Sequence, residues 1–356
     1  MMQIQNKAAS CFLIMKKLIA SQDPLFSWVI QPNYLYQYGL EIGIKSESLL
    51  EGTGLTIEDI DDVDLYINWE QYRDLAINVG RHGPADWGFQ FGKKLNVTSH
   101  GLISLLMMNC ENWGQLLQLL EDYPVLLSPI FYVSRKETQE YVFLNVNPEF
   151  TRHPVLRRSM EAFFTMFYQG LRDLGAVEMV QQSEIVKIFV KEEEPSYAEL
   201  LREFFHDNIS WGNYANQIRI AKSILDVKVP NANPITASAT RKILQSQLAQ
   251  LKASKGGLNE LRSLFDLGCY KQDECAKQML TTLPTLKRFL KLAYTTFSDE
   301  LKYYRLDEAC WAAQNTDLSM AQLSDELGFQ DANSFARLFK GEMGTTFNQF
   351  RSEKKG

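Results

Sequence analysis

Two stretches of the 356-residue chain carry side chains suited to hydrogen bonding with nucleic-acid bases and phosphates. In Asp273–Leu292 (DECAKQMLTTLPTLKRFLKL), Leu286, Phe289 and Leu290 recur at helical spacing and leave Thr285, Lys287, Arg288 and Lys291 on the opposite face. Arginine can bond guanine O6 and N7 with two N–H groups, and lysine can reach the same atoms. Thr285 and Lys291 suit phosphate oxygens. In Met320–Phe339 (MAQLSDELGFQDANSFARLF), Phe335, Leu338 and Phe339 face inward and leave Asn333, Ser334, Arg337 and, just beyond, Lys340 outside. Asn333 suits adenine, Arg337 suits guanine or phosphate, Ser334 suits either, and Lys340 suits phosphate. Any one of these alone would read as a solvated helix face. Their recurrence on two similar units gives them weight.

Each set needs two helices to position it. Before the first, Cys275, Ala276 and Met279 form a helical face that ends at Leu280-Thr281-Thr282. Thr282 is a suitable N-cap, and Pro284 lies in the first turn, where its missing N–H costs nothing. The small Ala276 lets the second helix cross closely. Before the second set, Ala321, Leu323 and Leu327 form the inner face, Gly328 supplies a left-handed turn and Asp331 a cap. Both units are helix-turn-helix arrangements, expected at about 273–292 and 320–340. Phe297–Ala313 between them reads as an amphipathic helix with Phe297, Leu301, Tyr304, Leu306, Ala309 and Ala313 on one face. Its length of roughly 24 Å suits a strut holding two reading heads at successive major grooves, roughly 34 Å apart once the heads' own widths are added.

Three motifs in order, CAKQM…LPTLKRFL, FSDELKYYRLDEA and LSDELGFQDANSFARLFKGEMGTTFNQFR, resemble the DNA-binding domain of the AraC/XylS family of bacterial transcription regulators. The middle motif carries Arg305, Leu306 and Ala309, as the family's connecting helix does. The resemblance implies that Pro284, Lys287 and Arg288 point toward base edges of double-stranded DNA. Three positions depart from the pattern: Leu280 and Tyr294 stand where glycine is usual, and Phe347 stands where proline is usual. Further upstream, GPADWGFQFG (Gly83–Gly92), HGLI (His100–Ile103), NWGQLLQLL (Asn112–Leu120) and Phe204–Pro234 resemble the arabinose-binding-like effector domain of one subgroup of that family.

The expected architecture is an α+β N-terminal sensor domain joined to an all-α C-terminal domain with two helix-turn-helix motifs. Residues 1–235 are expected to form the effector-binding and dimerisation domain, residues 236–256 a connecting helix and linker, and residues 257–356 the DNA-binding domain. Helical patterns cover Trp69–Val79, Gly101–Met108, Trp113–Leu120, Val155–Leu174 and Ser196–His206. Val125–Val146 reads as a β-hairpin with its turn at Arg135–Glu140, and Glu184–Val190 and Asn216–Ile220 read as strands. VPNANPIT (Val229–Thr236) reads as a turn or linker, and Lys255-Gly256-Gly257 as a second break. Ala239–Ala253 is a helix that packs on its own domain or on a partner. The expected effector is an unknown small organic molecule in an apolar site. The candidates are Trp87, Phe131, Phe163, Phe164 and Phe167, with His153 and Arg157 one turn apart and able to meet a carboxylate. The competing reading is that these aromatics only fill the core.

Net charge is −6, divided as −9 over residues 1–235 and +3 over residues 236–356, so an anionic partner belongs at the C-terminal end. Five cysteines without a Cys-x-x-Cys pair argue for a reducing compartment. Four scattered histidines form no His-x-x-x-His pair, so no metal or cofactor is expected. A Gly-x-Ser-x-Gly elbow, a phosphate-cradling glycine loop and a reactive Cys–His neighbourhood are all missing, so no catalytic residue is expected. Ala8–Met15 is too short for a membrane span and lacks a cleavage pattern, which makes a cytoplasmic, membrane-free location the expectation. The implied function is a sequence-specific DNA-binding transcription regulator controlled by a small-molecule effector. The alternative keeps the DNA binding but gives residues 1–235 over to dimerisation or protein partners. A homodimer is expected, and RNA polymerase is a partner if the chain activates.

Overall fold

The computed structural model describes residues 23, 24, 26–123, 130–148, 152, 153, 155–230, 232–250 and 257–355. Cys11, the Ala8–Met15 stretch, the first residues of the expected hairpin, the end of the Ala239–Ala253 helix and the break at Lys255-Gly256 lie outside the described residues.

The N-terminal half is α+β. A two-stranded ribbon of β1 (Phe26–Ser27) and β2 (Tyr66–Ile67) flanks α1 (Gln31–Glu41), α2 (Ser46–Leu50) and α3 (Ile57–Ile60). Next come α4 (Trp69–His82), α5 (Trp87–Lys94), α6 (Leu102–Met107) and α7 (Trp113–Asp122). Asn68 and Gln71 cap α4 reciprocally, and Asn112 caps α7. The expected inner face of α4, from Trp69 to Val79, is buried throughout.

A five-stranded sheet then forms in the order β3-β4-β7-β5-β6, from β3 (Phe131–Glu137), β4 (Tyr141–Pro148), β5 (Val186–Phe189), β6 (Ile209–Ser210) and β7 (Gln217–Ala221). The hairpin is present with Glu137 opposite Val142, so its turn is tighter than expected and β3 runs on through Arg135 and Lys136. All pairings are antiparallel except β5 with β6. Two residues of β6 are too few to show an alternation in sequence.

The long helix α8 (Leu156–Leu171) packs on α5. The close approach explains GPADWGFQFG. A Cβ on Gly88 would lie 2.1 Å from the Arg158 carbonyl oxygen, and one on Gly92 would lie 2.7 Å from that of Ala162. A wider π turn, Arg172–Ala176, ends α8 three residues earlier than its sequence pattern suggests. After α9 (Ala198–Phe205) and β7, helix α10 starts at Pro234, inside the stretch read as linker. Asn233 Oδ1 accepts from the N–H groups of Ile235 and Thr236, and Pro234 takes the first helical position. Leu244 of α10 is buried in the N-terminal core and α10 packs on α6, so this helix sits on its own domain.

The C-terminal part is helical throughout its described residues: α11 (Gly257–Asp266), α12 (Gln272–Gln278), α13 (Leu283–Leu292), α14 (Phe297–Asn315), α15 (Met320–Glu326), α16 (Ala332–Met343) and α17 (Phe347–Lys355). Its core, from Leu258 to Phe350, is a cluster separate from the N-terminal one. Among the described residues no helix is long and apolar enough to cross a membrane.

Candidate nucleic-acid interface

The first head is α12 and α13. Thr282 caps α13 by accepting from the Thr285 N–H, and Pro284 lies in the first turn. Leu286, Phe289 and Leu290 are buried against Cys275, Ala276 and Met279. Pro284, Lys287, Arg288 and Lys291 are exposed and Thr285 is half-buried, with its hydroxyl 2.8 Å from that of Thr282. The two departures from the glycine pattern are both left-handed: Leu280 has φ +53° and Tyr294 has φ +58°. Both turns therefore keep the glycine conformation while carrying a bulky side chain.

The second head is α15 and α16. Asp331 caps α16, accepting from the Ser334 N–H at 2.8 Å and the Ser334 hydroxyl at 2.9 Å, and these bonds hold its carboxyl below the usual aspartate range. The Ser334 hydroxyl also accepts from Arg337 at 3.2 Å. Asn333, Arg337 and Lys340 are exposed, while Phe335 and Phe339 pack on Phe347 and Phe350. Phe347 replaces the usual proline at the first position of α17 and uses that position to fill the core. Gly328, at φ +68°, turns the chain where a Cβ would lie 2.2 Å from the Tyr270 ring. Lys287, Arg288, Lys291 and Lys340 have no carboxylate within ion-pair distance among the described residues. By contrast, Lys302 of the strut is tied to Glu342.

The strut α14 is longer than its sequence pattern indicated and is buried on several sides. Arg305 donates to the carbonyls of Leu327 and Gly328 and lies over the Phe329 ring, so it clamps the turn of the second head. On the other side, Glu300 is only 1% exposed. It accepts two hydrogen bonds from Arg152 of the N-terminal half and one from Thr295, and Arg262 lies 3.9 Å away. Burial alone would raise the Glu300 carboxyl, but Arg152 and Arg262 hold it below the ordinary glutamate range. Lys136 pairs with Glu308, and Phe143 packs edge-on against Trp311. The pairing pattern of α14 hides this interface, because Glu300 and Glu308 find their partners on distant segments.

The effector candidates separate. Trp87, Phe131 and Phe163 line a cavity of about 20 Å³ together with Ser159. Phe163 and Phe167 line a second cavity of about 50 Å³ with His100. Phe164 is buried in the core and lines neither. His153 packs edge-on against Tyr294 of the C-terminal part, and Arg157 is exposed, so the carboxylate-binding pair is not brought to either cavity. Sequence reasoning missed His100. Its only signal was the HGLI motif, and burial pushes its imidazole down to about 4.

The two parts of the chain match two family models in the same order. Residues 43–229 match the family model described as the arabinose-binding domain of AraC transcription regulators, N-terminal, and residues 275–353 match a helix-turn-helix domain. The ornithine utilization regulator of Pseudomonas aeruginosa is 21% identical over 87% of this chain and 92% of its own length. An uncharacterized HTH-type transcriptional regulator of Mycobacterium tuberculosis is 23% identical over 87% of this chain and 92% of its own. The HTH-type transcriptional activator RhaR of Salmonella dublin is 29% identical over 26% of this chain and 32% of its own. A crystal structure of the regulator CdpR from Pseudomonas aeruginosa aligns over 90% of this chain and 98% of its own, with 16% identity and a TM-score of 0.47. With a matching family model over more than half of its length, a helix-turn-helix unit behind it and the two reading heads folded, the chain belongs to the AraC family of transcription regulators.

Proposed function

We propose that α13 and α16 enter successive major grooves of double-stranded DNA. Pro284, Lys287 and Arg288 of the first head and Asn333 and Arg337 of the second face base edges, while Thr285, Lys291 and Lys340 hold phosphates. Ser334 acts through Asp331 and Arg337, since its hydroxyl is already engaged with both. The observation that carries this reading is the set of exposed cations without carboxylate partners on two capped helices joined by one clamped strut. Residues 1–235 act as sensor for a small organic effector, residues 236–256 as connector and residues 257–356 as DNA-binding domain; the two separate cores support the break ahead of the DNA-binding domain. Homodimer formation, and contact with RNA polymerase if the chain activates, belong to the same reading.

Selection of binding sites from random DNA tests it. The expected site has two specified segments about one helical turn, roughly 10 base pairs, apart. Arg288→Ala relaxes a base position in one segment and Arg337→Ala a base position in the other. A site with one specified segment, unchanged by Arg337→Ala, would refute the two-head reading.

A further inference from the structure

We propose that the effector is an uncharged apolar molecule carrying a single hydrogen-bonding group, seated between α6, α7 and α8 with that group on the His100 imidazole. The proposal rests on the sensor reading of the N-terminal domain and specifies its ligand class.

The seat is a cavity of about 50 Å³ walled by residues such as Met107, Leu116, Phe163, Phe167 and Leu171. Its lining contains no Lys, Arg, Asp or Glu, and the polar side chains there are those of Asn96 and His100. The Asn96 side-chain oxygen caps the 3-10 turn Val97–His100 by accepting from the Thr98 N–H, and Asn96 itself is exposed at the rim. His100 is only 6% exposed, and its Nδ1 is buried with no hydrogen-bond partner. An unsatisfied buried nitrogen is costly, and a ligand group that bonds it removes the cost.

The same lining fixes the class. Burial keeps the imidazole neutral, so Nδ1 offers either a donor or an acceptor and the ring carries no charge. A carboxylate or ammonium would enter without a counter-charge. A sugar would bring several hydroxyls to a lining that is hydrocarbon apart from Asn96 and His100, leaving most of them stripped of water. An alcohol, phenol, ketone or N–H heterocycle with an aliphatic or aromatic body matches. At about 50 Å³ the cavity is smaller than the roughly 150 Å³ that holds a benzene ring, so the body enters only as the unbranched Met107 and Met166 repack. The seat also has a physical link to the rest of the chain. His100 immediately precedes Gly101, a left-handed pivot at φ +65°, and α6, which packs on α10.

The structure supplies a blocking substitution. Gly170 lines the cavity, and a Cβ there meets nothing within 4 Å. Gly170→Leu therefore fills the cavity, and leucine is also the better helix former. Titration calorimetry on the full chain uses octan-1-ol and indole as probes, with octanoate, L-arabinose and ornithine as contrasts. Expected is saturable binding of octan-1-ol or indole, loss of that binding in Gly170→Leu, and weakening by about ten-fold in His100→Leu. Gly170→Leu should keep the parent's affinity for DNA measured without ligand, which shows that it folds. Failure of both octan-1-ol and indole to bind overturns the proposal, as does binding that Gly170→Leu leaves unchanged. Tighter binding of arabinose, ornithine or octanoate overturns the ligand class. The sensor reading fails separately, if no metabolite in a screen alters DNA binding by either the parent or Gly170→Leu.

Discussion

Arg152 meets Glu300 in two parallel hydrogen bonds, Nε to Oε1 and Nη2 to Oε2, each 3.0 Å long. The arginine belongs to the N-terminal half just ahead of α8, and the glutamate belongs to the strut between the reading heads. The Arg152 backbone N–H also donates to the Ala293 carbonyl at the end of α13, at 3.0 Å. One residue of the sensor side thus touches both the strut and the end of the first recognition helix. This is a direct mechanical connection between the two parts of the chain.

Arg152→Ala leaves the Glu300 charge buried without its main partner. Removing one member of a buried pair costs roughly 3–5 kcal/mol, and the proximity of Arg262 reduces that here. Calorimetry should show a clear drop in unfolding temperature and faster amide exchange over residues 293–300. A variant with unchanged exchange there would mean that the pair does not hold the two parts together. The pH dependence has a definite sign. The Glu300 carboxyl titrates below its ordinary value, so its contribution is present above the glutamate range and is lost as pH falls through and below that range. Parent and Arg152→Ala should therefore converge in stability on acidification.

His100 adds a second loss of stability on the acid side, for a different reason. Its imidazole is neutral when folded, with its value pushed from 6.5 to about 4 by burial, and it regains its ordinary value on unfolding. The unfolded state therefore takes up a proton first, and stability falls as pH drops from about 6.5 to about 4. The limiting loss is about 3 kcal/mol. In His100→Leu this part of the acid-side slope should disappear in unfolding curves measured between pH 7 and pH 4. A slope identical to the parent's would show that His100 is solvated.

Much of the C-terminal part was readable because its signals are local. Thr282 and Asp331 cap helices within three residues of themselves, and Gly328 marks its turn alone. The N-terminal α+β character was also readable from Val125–Val146 and from the Val155–Leu174 pattern. What escaped depended on distant partners. Glu300 sits beside Leu301 and Tyr304 on a helix that reads as amphipathic, and its partner Arg152 is 148 residues away. In sequence His153 reads as a ligand group because it lies one turn from Arg157. The fold turns it onto Tyr294 instead. The start of α10 escaped because Pro234 is as natural in a linker as at the first position of a helix.

Leu280 and Tyr294 make a matched pair for backbone strain. Each holds a left-handed conformation that costs a bulky residue about 1–2 kcal/mol, and glycine regains less than that after its greater unfolded-state entropy. Leu280 is 53% exposed, so Leu280→Gly sacrifices little packing and should stabilise the DNA-binding part by about 0.5–1 kcal/mol. Tyr294→Gly relieves the same strain but removes the edge-on contact with His153 and the hydroxyl that accepts from Arg73 at 3.5 Å. It should give no net gain. Denaturant titration of both variants decides the matter, and destabilisation by Leu280→Gly would show that the leucine side chain contributes more than its exposure suggests.

The reading heads separate into base and phosphate contacts by their response to sequence and salt. Arg288, at the exposed middle of α13, is assigned to a base edge, so Arg288→Ala should cost about 1–3 kcal/mol on the selected site and relax one base position. Lys291, one turn from Lys287 and at the end of α13, is assigned to phosphate, so Lys291→Ala should weaken all sequences alike and lower the salt slope of binding by about 1. Gel-shift series over single-base variants and over salt concentration read both quantities on the same protein. If Arg288→Ala instead weakens every variant equally, the arginine grips the backbone. Base reading by the first head then falls to Lys287 and Pro284, a weaker set, because lysine makes a point contact and proline has no donor to offer.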